Sequence, residues 1–405
     1  MSNQFQSIST GLASLKNFYQ GPIVDQFSED APIYRGAEKI KQGWSGLQVI
    51  RPLRVIKNQG IGAVADNGTL PSIGRQTTVQ AIIAAKFNYL RFGVTGPMIK
   101  ASQSDTGSFV RAAAYELEMG YKDLIGDVNR QFGWSGSGIM ATMSGAASGS
   151  SSITIAGREA AEPALKFIDV NFVFDITDGT TLKASGVTVT AITSGGPTSS
   201  TATLTLSQAV TCLSTDYLIR SGTLGNEIQG LLTALDGGTS TIYNVNRSSY
   251  LSYQGNVNAM AQAQLTLNQI QYTYNEGMRR GGAKYSAIYS DFPSLQMYQK
   301  LLTPDKRYVN TSKGDGGFAA KDKFYLEFNG IPWVADKDCP QRIFILPEDA
   351  LKNYVLAEME FADETGSMYI AQTSADAFEV RVRLFTNLFN EQPAACGCIS
   401  GYTSP

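Results

Sequence analysis

Apolar residues at helical spacing mark one long helix in a chain that otherwise shows mostly strand-type patterns. From Phe109 to Phe132 they recur at steps of three and four, which places them on one stripe of a helix. Ser104 and Asp105 offer an N-cap, and the glycines of "GWSGSG" follow Phe132. The pattern predicts a helix over residues 104–132, about 42 Å long from Asp105 onward. Such a helix is either a strut across a domain or an ordinary core helix, and periodicity does not separate the two.

Two β-type stretches before this helix predict a long hairpin arm. "LQVIRPLRVIK" (47–57) and "TTVQAIIAAKFNYLRFGV" (77–94) flank a looser segment. Within that segment, Asp66-Asn67-Gly68 has the chemistry of a turn that tolerates positive φ. An isolated two-stranded hairpin is marginally stable in water, so an arm of this length needs a surface to lie on.

The rest of the chain divides into regions with different patterns of polar and apolar residues. Residues 1–42 are polar and interrupted, with a short apolar set at helical spacing (Leu12, Leu15, Phe18, Tyr19), and are predicted to be an arm or a frayed terminus. Residues 146–222 hold five short strand patterns divided by turn signals, which predict a small antiparallel sandwich or barrel inserted into the fold.

From about residue 224 helix and strand patterns alternate. Capped helices are predicted at 266–280 and 291–302, and a strand pair is predicted around Asn329-Gly330. "RIFILPEDALKNYV" (342–355) predicts a strand and then a short helix, and "AFEVRVRLFTNL" (377–388) predicts a late strand. The fold class is therefore α+β.

Composition excludes much of enzyme chemistry. The chain of 405 residues has no histidine, which removes Ser-His-Asp and Cys-His nucleophile systems and His-bearing zinc sites. The four cysteines are scattered and predict ordinary thiols. Net charge is 33 − 35 = −2, so no global field draws the chain to nucleic acid. No signal peptide opens the chain and no membrane span is predicted, which indicates synthesis inside a cell.

Two further patterns could carry chemistry. "SKGDGGFAAK" (312–321) is glycine-rich but lacks the order of a phosphate loop, so a plain loop is favoured. Asp336 and Asp338 stand two apart, as Asp175 and Asp178 stand three apart. Turn capping is the favoured interpretation of both, with a paired acid and base as the alternative. No cofactor and no metal is predicted.

The dispersed charges of the arm also have two interpretations. They keep a ribbon soluble and guard its edges, or they pair with charges on a neighbouring copy, including the face of the long helix. The second hypothesis names eight candidate contact residues: Arg51, Arg54, Lys57, Asp66, Asn67, Arg75, Glu118 and Lys122.

The order of these parts resembles the major capsid protein of tailed bacteriophages, the HK97-type fold. "NGIPWVADKDCP" (329–340) in particular is similar to the strand–turn–strand that such proteins carry late in the chain. The resemblance implies an N-terminal arm (1–42), an extended hairpin loop (43–95), a peripheral domain with a spine helix (96–145), the inserted β domain (146–222), an axial domain (223–365), and a return strand with the C-terminus (366–405).

The resemblance also implies a function. It predicts a structural protein, not an enzyme, that self-assembles into pentamers and hexamers of an icosahedral head around double-stranded DNA. The implied partners are other copies, scaffolding, portal and decoration proteins, and DNA through local contacts, with no membrane. The implied location is the virion, after assembly in the host cytoplasm. Some members crosslink a loop Lys to an Asn, and Lys57 lies in this loop, but no matching Asn is identified.

Three rival functions remain. An encapsulin-like bacterial shell would share the fold and enclose protein cargo. A tail-tube or decoration protein would be mostly β and need no spine helix. A β-rich hydrolase would use two carboxylates, although the sequence singles out no pair.

Overall fold

The computed structural model describes residues 31–97, 112–159, 162–238, 240–302, 326–348, 350–362, 370–371 and 375–403. The apolar set at 12–19, the predicted helix start with its cap at 104–105, and the glycine-rich stretch 312–321 lie outside these residues. The described helices are α1 (Pro32–Gly36), α2 (Ala112–Gly133), α3 (Leu231–Ala234), α4 (Leu267–Gly281) and α5 (Phe292–Leu302), with single 3-10 turns at Leu251–Tyr253 and Pro393–Ala395. None of these helices has the length and hydropathy needed to cross a membrane.

The described strands fall into five sheets. In chain order they are β1 (Glu38–Ile40), β2 (Trp44–Ser45), β3 (Gln48–Ile56), β4 (Thr77–Ala84), β5 (Lys86–Thr95), β6 (Ile139–Met143), β7 (Ala147–Ala156), β8 (Val173–Thr177), β9 (Leu182–Ser194), β10 (Thr201–Cys212), β11 (Tyr217–Arg220), β12 (Thr241–Ile242), β13 (Val245–Asn246), β14 (Asn256–Gln264), β15 (Tyr285–Ser290), β16 (Leu326–Phe328), β17 (Ile331–Ala335), β18 (Ile343–Pro347), β19 (Leu351–Phe361), β20 (Ile370–Ala371), β21 (Ala377–Asn390) and β22 (Gly397–Thr403).

The long helix α2 packs on a mixed sheet built around β21. This strand pairs antiparallel with β19 on one side and with β5 on the other, and β1 adds parallel to β19. Gly120 of the helix lies directly over Leu90 of β5, where a Cβ would come within 2.8 Å of the leucine. The stripe residues Leu124, Val128 and Phe132 are buried as predicted, whereas Tyr121 is 42% exposed.

A second sheet carries the helices of the C-terminal part. Its strand order is β14-β22-β18-β15-β17-β16. Helix α4 begins as predicted, because the Thr266 hydroxyl accepts a hydrogen bond from the Gln269 amide at 3.3 Å. The turn between β16 and β17 also forms where predicted, with Asn329 and Gly330 at φ of 52° and 77°. Helices and strands in both regions confirm an α+β chain.

The inserted region forms a closed barrel. Six strands close in the order β10-β7-β6-β11-β8-β9 around a core of buried hydrophobic residues that includes Ile155, Phe174, Val187 and Leu204. The sequence predicted five strands in a sandwich or barrel from residue 146. The sixth strand, β6, comes earlier in the chain, directly after the "GWSGSG" turn.

Two sequence predictions differ from the structure. Residues 351–355 were predicted to be helical but form the start of β19, where all five are buried between β1 and β21. Cross-strand pairing and burial here override local propensity. The stretch 77–94 was predicted as one arm strand but divides at Ala85. Its first half, β4, stays in the arm, and its second half, β5, joins the sheet of β21.

Candidate intersubunit surface

The base of the arm is anchored on its own chain. Strands β3 and β4 form a hairpin, whose inward side chains Val49, Ala81 and Ile83 are almost fully buried. They share a core cluster with residues from the tight β12–β13 hairpin, from the 3-10 turn at Leu251–Tyr253, and from the sheet around β21, here called the central sheet: Ile242, Tyr243, Val245, Tyr253, Tyr354 and Phe389. The arm therefore starts from a fixed platform.

Tyr243 links the platform to both the arm and the sheet around β21. Its hydroxyl donates to the Leu388 carbonyl at 2.6 Å, and its own carbonyl accepts from the Ile82 amide at 2.8 Å. The ring packs edge-on against Phe389, with centroids 5.1 Å apart. One residue thus joins the arm strand β4 to the strand β21 of the central sheet.

The tip of the arm, residues 57–76, has the opposite character. Ile61 is 84% exposed, Leu70 is 79% exposed and Ile73 is fully exposed. The tip is nevertheless folded back on itself, since a Cβ on Gly60 would lie 2.6 Å from the Gly74 nitrogen. Asn67 has φ of 60° in the predicted turn. The tip is thus a folded apolar surface, and no other part of the described chain covers it.

The eight predicted contact residues do not form one site. Arg51 pairs within the chain, with Glu391 at 2.6 Å, and Glu118 pairs with Lys122 at 3.6 Å. The remaining five are exposed along the arm, and no ion pair links them to other described residues: Arg54, Lys57, Asp66, Asn67 and Arg75. The contact role of all eight stays a prediction.

The C-terminal end of α2 holds a buried charge network. Arg130 donates to both carboxylate oxygens of Glu227, at 2.5 and 3.2 Å, and to Asp127 at 3.0 Å. Burial raises the pKa of Asp127, but Arg130 and Arg220 outweigh it and hold the pKa at about 2. The network ties the long helix to the chain that leaves the barrel.

Asp336 and Asp338, one of the two carboxylate pairs noted in the sequence, lie close together at the same end of α2. Asn129 donates to Asp336 at 2.8 Å and to Asp338 at 3.2 Å. The Asp338 amide donates to Asp336 at 2.9 Å, which is turn capping. Burial raises the pKa of Asp336 to about 6 and also raises that of Asp338. The Asn129 amide bridges the two carboxylates by hydrogen bonds. These side chains therefore form a structural joint that holds the end of α2 against the turn at 336–338.

Sequence reasoning missed the platform residues. "TIYNVN" (241–246) contains a two-residue turn at Tyr243-Asn244, with φ of 49° and 64°. Asn in such a turn, flanked by Ile and Val, was the available signal. Nothing local indicated that the turn would pack under the arm. In the part of the chain that is described, no group of three or more His, Cys, Asp or Glu side chains could hold a metal ion.

Comparison with solved structures finds this arrangement in capsids. The chain superposes on the cyanophage A-1(L) capsid asymmetric unit with a TM-score of 0.62 and 14% identity, covering 98% of this chain and 100% of the other. The capsid of the native GTA particle gives a TM-score of 0.53 at 9% identity, covering 98% and 99%. The encapsulin of Synechococcus elongatus gives 0.47 at 7% identity, covering 99% and 96%, and no conclusion rests on it.

These likenesses define the class of fold. The chain has the HK97-type fold of phage capsid subunits, over nearly its full length. No family model and no curated protein sequence matches it. The likeness is therefore one of overall fold and not of sequence.

Proposed function

We propose that the chain is a structural capsid subunit, not an enzyme, that assembles with copies of itself into a closed shell. The observation that carries this proposal is the arm: a buried base and a shaped, exposed apolar tip. Large exposed apolar residues favour a partner surface. If the tip of one copy fits a different face of the next copy, the contact is head-to-tail. Repeated head-to-tail contacts close into a ring when the rotation between neighbouring copies divides a full turn evenly.

The finer details are part of the same proposal. The rings are pentamers and hexamers, the shell is the icosahedral head of a tailed phage, and its content is double-stranded DNA held by local contacts. Scaffolding, portal and decoration proteins are the expected further partners. The subunit is made in the host cytoplasm and ends in the virion. The exposed arm charges, including Arg54, Asp66 and Arg75, supply polar contacts around the apolar tip.

A matched pair of variants tests the role of the tip. Leu70→Asp places a charge on the tip, and Leu182→Asp places one at a leucine of the barrel that is 50% exposed. We expect shells or rings from the natural chain and from Leu182→Asp by negative-stain microscopy after size exclusion. Leu70→Asp should give a folded monomer with an unchanged melting temperature, because its side chain is already in water.

Two outcomes would contradict the proposal. One is a natural chain that stays monomeric at every concentration, even when it is expressed with a scaffold. The other is a Leu70→Asp variant that assembles as well as Leu182→Asp. The content of purified particles addresses the finer claim, because nuclease-protected double-stranded DNA supports a phage head and packed protein supports an encapsulin-like shell.

A further inference from the structure

Strand β5 is an open edge of the central sheet. It pairs with β21 along its length, from Lys86–Thr386 to Thr95–Ala377, and no described strand lies on its other side. In an antiparallel edge strand about every second residue turns its N–H and C=O away from the neighbour. None of the β5 side chains whose burial is described is buried. A long exposed edge pairs with another segment unless it is covered.

Two other parts of the molecule avoid an open edge. The barrel has none because it closes. Edge strand β14 contains a bulge in which Ala261 and Gln262 both take left-handed φ, 47° and 68°, and pairing with β22 is interrupted. Such a bulge twists an edge away from further pairing. Strand β5 has no bulge over its ten paired residues, so it is suited to accept a strand.

Both faces beside this edge favour an apolar occupant. On one face Phe87 is 44% exposed and Tyr89 is 60% exposed. On the other, Leu90 and Met119 help to line an open groove of about 1330 Å³ between β5, helix α2 and the barrel. Asn88 also lines the groove, and its Nδ2 is buried with no hydrogen-bond partner. An extended segment at this edge would gain main-chain hydrogen bonds, apolar contacts and that donor.

Charge distinguishes two segments that this chain could offer. On the exposed face Arg91 lies directly opposite Arg381, and both reach the single carboxylate of Glu379, at 2.6 and 2.5 Å. The face therefore has a surplus positive charge and suits an acidic segment. Residues 57–76 of the arm tip carry Lys57, Asp66 and Arg75, a net charge of 2 − 1 = +1. Residues 1–30 carry one lysine and three acids, a net charge of 1 − 3 = −2.

We propose that the N-terminal segment adds to the β5 edge as a further strand through Ile23–Phe27. This stretch, "IVDQF", combines apolar residues with Asp25, which would approach Arg91. The segment leaves the described structure at Ala31, which is buried beside the end of α2. Six residues separate Asp25 from Ala31, and six extended residues span about 20 Å. The end of α2, beside which Ala31 is buried, is itself next to β5, since Gln131 donates to Asn88 at 2.9 Å. The segment can therefore reach the β5 edge of its own chain, or that of a neighbouring copy packed against it.

Photo-crosslinking in the full-length chain tests this placement. The probe p-benzoylphenylalanine replaces Tyr89 on β5, and in a control chain it replaces Tyr272, which is 57% exposed on helix α4. After irradiation, mass mapping should recover peptides within residues 20–30 from the Tyr89 probe and none from the Tyr272 probe. A product of monomer size indicates the chain's own segment, and a product of dimer size indicates a neighbour's segment; both support the proposal.

A charge variant makes the test more specific. Asp25→Lys should lose most of the Tyr89 crosslink, whereas Ser2→Lys, which adds a lysine outside the proposed strand, should keep it. The placement is overturned if the Tyr89 probe captures another segment, such as 57–76 or 98–111, or captures nothing. The inference does not depend on shell formation. Crosslinks without shells would leave only the capsid proposal in doubt, and shells without crosslinks would overturn only this placement.

Discussion

Tyr243 combines an unusual backbone with a buried hydroxyl. Its φ of 49° is left-handed, which is rare for a bulky side chain, and its hydroxyl is held by the Leu388 carbonyl. Burial raises the pKa of Tyr243 well above its usual value, so the hydroxyl is neutral and donates at any physiological pH. The strained turn is tolerated because the contacts of the side chain fix the arm base.

Removing this hydroxyl should destabilise the arm base. Tyr243→Phe leaves the Leu388 carbonyl without that donor, at a cost of about 1–3 kcal/mol in the free energy of unfolding. Tyr272→Phe, at an exposed site, should change it by less than about 0.5 kcal/mol. Chemical denaturation measures both. Equal effects from the two variants would mean that the Tyr243 hydrogen bond does not contribute to the platform.

At the scale of elements, the end of helix α2 depends on buried ion pairs. The side chains of Arg130 and Glu227 are each only 3% exposed. Arg130→Ala would leave Glu227 with an uncompensated buried charge and Asp127 with Arg220 alone, at 3.3 Å, which costs about 3–5 kcal/mol. Arg279→Ala provides the control, since its pair with Glu276 also lies near a helix end but is exposed, and exposed ion pairs contribute little to stability. Thermal unfolding of the two variants should separate them clearly, and similar melting temperatures would contradict the assignment.

The elements that the sequence predicted are those with local signals. Helix α4 has its Thr266 cap and its stop at Gly282, and the β16–β17 turn has Asn329 and Gly330. These signals act within a few residues, so pattern reasoning finds them. The start of β19 was misjudged because its state is set by β21, which follows it by more than twenty residues.

The candidate surface was predicted only in part. Charges along the arm were visible in the sequence, but the decisive contrast between the buried base and the exposed tip was not. Ile83 and Ile73 look alike in a pattern, yet Ile83 is fully buried and Ile73 is fully exposed. The difference arises because the β12–β13 hairpin packs under one and not under the other, and a non-local contact of this kind leaves no periodicity.

At the scale of the whole molecule, the long helix, the barrel and the segment between β17 and β18 meet at one charged joint. Lys166 of the barrel region donates to the Cys339 carbonyl at 2.8 Å, and Arg342 pairs with Glu159 at 2.9 Å. Trp134, just after α2, donates to the Asp338 carbonyl at 2.8 Å. The barrel is therefore joined to the body by several polar contacts rather than by a single linker, which suits a subunit of a rigid shell.

Two buried carboxyls, Asp336 in this joint and Asp291 at the start of α5, are expected to make the stability of the subunit depend on pH. Burial raises the pKa of Asp336 and of Asp291 to about 6 from a usual value of 3.8. A group with a raised folded-state pKa stabilises the fold below its unfolded pKa, and this contribution is lost as pH rises through the folded pKa. Each carboxyl should therefore add about 1 kcal/mol to the free energy of unfolding when pH falls from 7 to 5. Asp127 titrates near 2 and does not contribute in this window.

Chemical denaturation of the unassembled subunit at pH 7 and pH 5 measures this gain, with Leu70→Asp as the background that prevents assembly. Asp336→Asn should remove about half of the gain contributed by the two carboxyls, because one of them no longer titrates. Asp178→Asn should leave the gain unchanged, since hydrogen bonds from Thr181 and Thr180 keep the pKa of Asp178 far below the window. If Asp336→Asn keeps the full gain, the proton that stabilises the fold binds elsewhere, and the joint at the end of α2 is not where pH acts.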